Sequence, residues 1–220
     1  MDKLSYLSEN SLSSDAVWLI IRHAEKEQPP DDDPFFDVSL TGKGFKEAVQ
    51  FRDLIKEKFS IEINGIYSSP LRRCIETSEA IVDRIDEIES FETSNLLGDP
   101  GPYVVDDEIA GQSFLELENN EVVKMQIEGE DIEGFRDVNE GSKLLLEYVL
   151  SRQPTSGLHI FVTHDVIIAA LLGSIIGYVV DIQKWIKYLQ GLCLYRHEDK
   201  LFMDCNEGTF NITGNTEFSF

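Results

Sequence analysis

Three short stretches concentrate groups that can handle an anion. Arg22 and His23 follow the apolar run at 17–21, Arg72 and Arg73 follow "IYSSPL", and His164 and Asp165 follow "HIFVT". A guanidinium offers paired donors that match the oxygens of a phosphate. An imidazole whose proton position is fixed can attack phosphorus or donate to an oxygen. Brought together, Arg22, His23, one of the two arginines and His164 would hold a tetrahedral oxyanion with His23 placed to attack it.

These groups meet only if the elements before them end at one place. "VWLII" and "LHIFV" are β-branched and aromatic, the pattern of parallel strands buried on both faces. "GIYSS" reads as a second strand and "SFETSNLL" as a third. The segment 39–59 has apolar residues at helical spacing, with Thr41 as its cap. A helix follows from Pro70, a residue tolerated in a first turn. "SKLLLEYVLSRQ" and "VIIAALL" are further helices, and "GLCLYRHEDKLFMDC" is a hairpin turning near "HEDK". Strands alternating with helices predict a mostly parallel sheet covered on both faces. In such sheets the ligand lies beyond the C-terminal strand ends, where all three stretches fall. Residues 1–15 read as a flexible tail, 16–220 as one domain, and about 98–140 as an insertion forming part of a lid.

The net charge of −22 and pI of about 4.4 argue against nucleic acid or an anionic membrane as partner, since both need a broad basic surface. The acidity reads as a solvated surface. The three cysteines lack metal spacing and fit a reducing compartment. With no signal-like N-terminus and no span-length apolar run, a cytoplasmic protein is expected. The prolines flanking Asp31, Asp32 and Asp33 break any calcium-loop pattern, and no metal or other cofactor is expected. "GKG" at 42–44 lacks the rest of a phosphate-binding loop. His159 and His197 read as structural, and Tyr103 and Phe114 as core or lid packing rather than pocket lining.

"LIIRHAEKE", "SLTGKGFKEA", "IYSSPLRRCIETSEAI" and "HIFVTHDVIIAAL" resemble, in order, the motifs of the histidine phosphatase (phosphoglycerate mutase-like) superfamily. The resemblance covers most of the chain, apart from the tail, the insertion and the final hairpin. It implies a three-layer αβα sandwich and a phosphohistidine intermediate on His23. Arg22, Arg73 and His164 would bind the phosphate, with Lys26 assisting. Arg73 matches better than Arg72 because the family's arginine stands two residues after the leucine of "SPL". Ala24 replaces the family's usual glycine. The general acid has two candidates. Asp165 matches the His-Asp pair of the acid-phosphatase branch and is preferred, while Asp99 stands nearest the mutase-like branch's glutamate. The implied activity is metal-independent hydrolysis of a phosphomonoester, carried by a small molecule or a phosphoprotein. A phosphomutase is a variant of this reading. A non-catalytic phospho-ligand or protein-binding module on the same fold is the alternative, against which the complete set of pocket residues counts.

Overall fold

The computed structural model describes residues 3–30, 37–82, 90–152, 157–177, 181 and 184–214. Seven strands form one sheet in the order β3-β2-β4-β1-β5-β6-β7. β1 (Ala16–Arg22), β2 (Ile63–Ser68), β3 (Ser90–Thr93) and β4 (Gly157–Thr163) are parallel neighbours. β5 (Gly191–His197), β6 (Lys200–Cys205) and β7 (Gly208–Asn211) add antiparallel. Five of the seven strands therefore point one way. Glu198 and Asp199 take positive φ in the β5–β6 turn, the conformation a two-residue hairpin needs.

β1 shows why the sheet has two covered faces. Val17, Leu19 and Ile21 enter a core with Phe51 and Ile55 of α2 (Gly42–Lys58) and Ile81 of α3 (Arg72–Ile81). Trp18 and Ile20 enter a second core with Leu145 of α6 (Val138–Ser151) and Ile168 of α7 (Asp165–Ile176). Period-two alternation in a wholly apolar strand divides it between two helical layers. The result is the three-layer αβα arrangement. Among the described residues no helix is long and apolar enough to cross a membrane.

Three expectations are corrected or refined. Residues 3–15 are not a loose tail: they carry the short helix α1 (Glu9–Ser13), and Leu4 is 1% exposed in the α2–α3 core. The second helix begins at Arg72 with Leu71 as its cap residue, so Pro70 lies just outside it. The segment 98–140 holds two helices, α4 (Asp107–Glu116) and α5 (Asn119–Ile127). α5 packs on α7, with Ile127 lying where a side chain on Gly173 would stand. Asp31, Asp32 and Asp33 lie outside the described residues.

Candidate active site

The register of β1 on β4 builds the centre. Arg22 pairs with Thr163, and the His23 amide donates to the Thr163 carbonyl at 3.0 Å. The next residues on the two strands, His23 and His164, thus stand side by side with ring centroids 5.4 Å apart. β2 extends the pattern. The Ser69 amide donates to the Val162 carbonyl, which sets the Ser69 hydroxyl 3.0 Å from His164 Nε2. α3 and α7 then start at these strand ends, where their N-terminal partial charge favours an anion.

His23 Nδ1 lies 2.7 Å from the Ala24 carbonyl. A carbonyl only accepts, so Nδ1 carries the proton and Nε2 keeps its lone pair. Burial pulls the His23 pKa from 6.5 down to about 3 against the opposing Ala24 bond, and the charges of Arg22, Arg73 and Lys26 add to the fall. His164 is also held well below its usual value, first by burial and then by His23, Arg73 and Arg22. Lys26 is lowered by burial and by the same two arginines. Five cationic or potentially cationic groups share one pocket, and a bound anion would oppose the part of these shifts that their mutual repulsion causes.

Arg22 reaches the Ile186 carbonyl through Nη1 at 2.6 Å and Asp165 Oδ2 through Nη2 at 2.9 Å, and stacks 4.3 Å from the Tyr188 ring centre. Its Nε is buried and without a partner among the described residues. Arg73 likewise has an unpartnered Nε, and among the described residues its one ion pair, to Asp37, is long at 3.8 Å. Buried donors left unpaired are costly and point to a ligand's oxygens. Arg72 is exposed and turns to Ser39, so Arg73, not Arg72, lines the cleft.

The two candidate acids differ. Asp165 Oδ2 accepts from both Arg22 and Trp185 Nε1, the latter at 2.9 Å, and Oδ1 accepts from the Val166 amide. Asp99 is exposed at the cleft, with no hydrogen bond or ion pair to any described residue. It follows Gly98, whose φ is 135° and whose added Cβ would stand 2.3 Å from His164 Cδ2, so only glycine lets this loop close on the ring. On the far side, an added Cβ on Gly44 would meet the Glu25 carbonyl at 2.0 Å. That contact, with Thr41 capping α2 through Gly44 N, pins the loop that carries Lys26. The "GKG" stretch therefore serves a close approach of backbone.

The cleft holds about 700 Å³ and runs from Arg22, His23, Arg73 and His164 under α4 and α5. Tyr103 is buried and bonds Ser142, as a packing residue does, but it and Phe114 both also line the cleft, which the sequence reading did not expect of either. Trp185, Tyr188, Ser69 and Gly98 escaped the sequence reading. The aromatic run "WIKYL" just before β5 was the available sign for the first two. Among the described residues no group of three or more His, Cys, Asp or Glu side chains is placed to hold a metal ion.

Residues 18–198 match the model of the histidine phosphatase superfamily (branch 1). Among solved structures, Bacillus stearothermophilus YhfR aligns at 15% identity over 90% of this chain and 96% of its own, with a TM-score of 0.55. The Entamoeba histolytica phosphoserine phosphatase aligns at 17% identity over 93% and 100%, TM-score 0.50. A mycobacterial glucosyl-3-phosphoglycerate phosphatase aligns at 14% over 85% and 89%, TM-score 0.51. At these identities the likeness is one of fold. No sequence match was found among curated proteins.

Proposed function

This chain belongs to the histidine phosphatase superfamily, and from that premise we propose that it hydrolyses phosphomonoesters through a phosphohistidine on His23. The observation that carries the reading is the His23 ring, its Nδ1 tied to the Ala24 carbonyl and its Nε2 left for phosphorus, between two arginines whose buried Nε groups no described residue pairs. His23 Nε2 attacks phosphorus while the bond to the leaving oxygen breaks. Arg22, Arg73, His164 and Lys26 take up the charge on the transferring group. Asp99 gives its proton to the leaving oxygen. Its carboxylate then takes a proton from the water that cleaves phospho-His23, releasing inorganic phosphate. Asp165 is assigned instead to positioning, because its oxygens are taken up by Arg22, Trp185 and the start of α7.

A panel of phosphomonoesters with EDTA present tests the activity. Wild type should turn over and retain acid-labile, base-stable phosphate, and His23→Ala should do neither. Full turnover by the variant would end the mechanism. The acid is tested by leaving group, since an alkyl alcohol needs the proton and a nitrophenol barely does. Asp99→Asn should slow alkyl phosphates by roughly a hundredfold or more, as loss of a general acid does, and nitrophenyl phosphate far less. Asp165→Asn should slow both alike through a loosened Arg22. The opposite pattern returns the acid role to Asp165.

A further inference from the structure

The cleft is chemically two-sided. The cationic side chains among the described residues lining it are Arg22, Lys26 and Arg73, joined by the two neutral histidines; they come from the end of β1 and the loop after it, from α3, and from the residue that caps α7. The side built from the 98–140 segment and the flank of α7 has none. It presents Ala110, Phe114, Val123, Phe135 and Ile167, with the Phe114 and Phe135 rings edge to face at 5.4 Å. Its charged groups are carboxylates: Asp99, Asp107 and Glu108. Asp107 and Glu108 occupy the first turn of α4, where the helix dipole suits them. Their charge faces the cleft all the same, and a second anion on a substrate would meet these carboxylates with no counter-charge.

Among the described residues, one buried polar group on this side is left without a partner. Gln126 lines the cleft from α5, is 6% exposed, and its Nε2 has no hydrogen bond. Its neighbours on the buried face of α5 are Val122 and Val123, so nothing on its own helix serves it. A half-turn of the terminal torsion exchanges its oxygen and nitrogen, so the amide can offer either a donor or an acceptor. An unpaired amide in an apolar wall discriminates strongly in favour of a ligand group that pairs with it.

We infer that the leaving-group side of the cleft takes a largely apolar alcohol bearing no negative charge, whose polar group pairs with the Gln126 amide. The inference rests on the phosphatase reading for the phosphate end, and on the cleft's own lining for the rest. It separates this chain from enzymes for phosphorylated acids or bisphosphates, whose second anion requires a second cationic site.

Binding of non-hydrolysable phosphonates separates this inference from catalysis. Benzylphosphonate, its 4-carbamoyl derivative and its 4-carboxy derivative share one shape and differ in the distal group. By calorimetry on the wild-type protein, the carbamoyl compound should bind tightest and the carboxy compound at least tenfold more weakly than it. Gln126→Leu should lower the carbamoyl-to-parent affinity ratio. The double variant Asp107→Asn, Glu108→Gln should raise affinity for the carboxy compound by several fold. A carboxy compound that binds as tightly as the carbamoyl one, or a ratio unmoved by Gln126→Leu, overturns the inference whether or not the protein is a phosphatase. The expected ranking without turnover of any phosphomonoester would leave the inference standing and defeat the phosphatase reading. Failure of all three to bind would defeat both.

Discussion

His23 and His164 are buried as neutral rings among three cations, and this makes the fold sensitive to acid. Both folded pKa values lie below 6.5, so as the pH falls the unfolded chain binds the two protons first. Their contribution to stability is complete above the unfolded pKa and is lost as pH falls toward the folded values, about 3 for His23. Each histidine adds a slope of up to about 1.4 kcal/mol per pH unit within that window. Urea unfolding between pH 6.5 and 5 should show a stability loss that flattens by about one histidine in His23→Asn and again in His164→Asn. Unchanged slopes would mean that the rings are protonated in the folded protein. The positions of these rings were legible because each follows a buried strand and parallel strands end together. The bonding of Asp165 was not, since it depends on Trp185, 20 residues further along the chain.

Elements tell a less uniform story. Strands and long helices with an apolar stripe could be read directly, as could Thr41 capping α2 and the turn between β5 and β6. α4 and α5 were not, because they are short and only weakly amphipathic. Their caps were the readable signs: Asp106 accepts from the Ile109 amide, and Glu121 accepts from the Glu118 amide. The N-terminal segment was missed for a different reason. Its sequence is polar, and what holds it lies at the other end of the chain. Asp204, fully buried in β6, accepts from the Ser8 amide at 2.7 Å and from the Thr209 hydroxyl at 2.7 Å. Lys3 donates to the Tyr188 carbonyl at 2.7 Å, which ties the segment to the loop beside Arg22. Leu4→Ala distinguishes a docked segment from a loose one. Buried in the α2–α3 core, this substitution should cost about 2–5 kcal/mol in urea unfolding. A cost near zero would show that the segment does not hold the position described.

At the scale of the whole molecule, a net charge of −22 surrounds a pocket made of arginines, histidines and a lysine. The two fields have different reach. Close to the pocket the cations act through a partly desolvated cleft and are screened little. Far from it, a phosphomonoester dianion meets the summed negative charge and is repelled. Salt shortens the outer field, whose screening length falls from roughly 30 Å at 0.01 M to about 8 Å at 0.15 M. For a dianionic substrate, kcat/KM should therefore rise several fold across that range, while kcat stays nearly constant because the bound complex is insulated. A chloride ion entering the pocket would compete with substrate and mask the rise, so the informative quantity is a difference between two substrates. Phosphocholine carries a fixed cation and a net charge near −1, whereas an alkyl phosphate of similar size carries −2. Chloride competes equally with both, but the outer field acts on net charge. The rise with salt should be about half as steep on a logarithmic scale for phosphocholine. Equal salt dependence for the two, or a steeper fall for the dianion, would mean that the pocket's cations govern the approach as well as the capture.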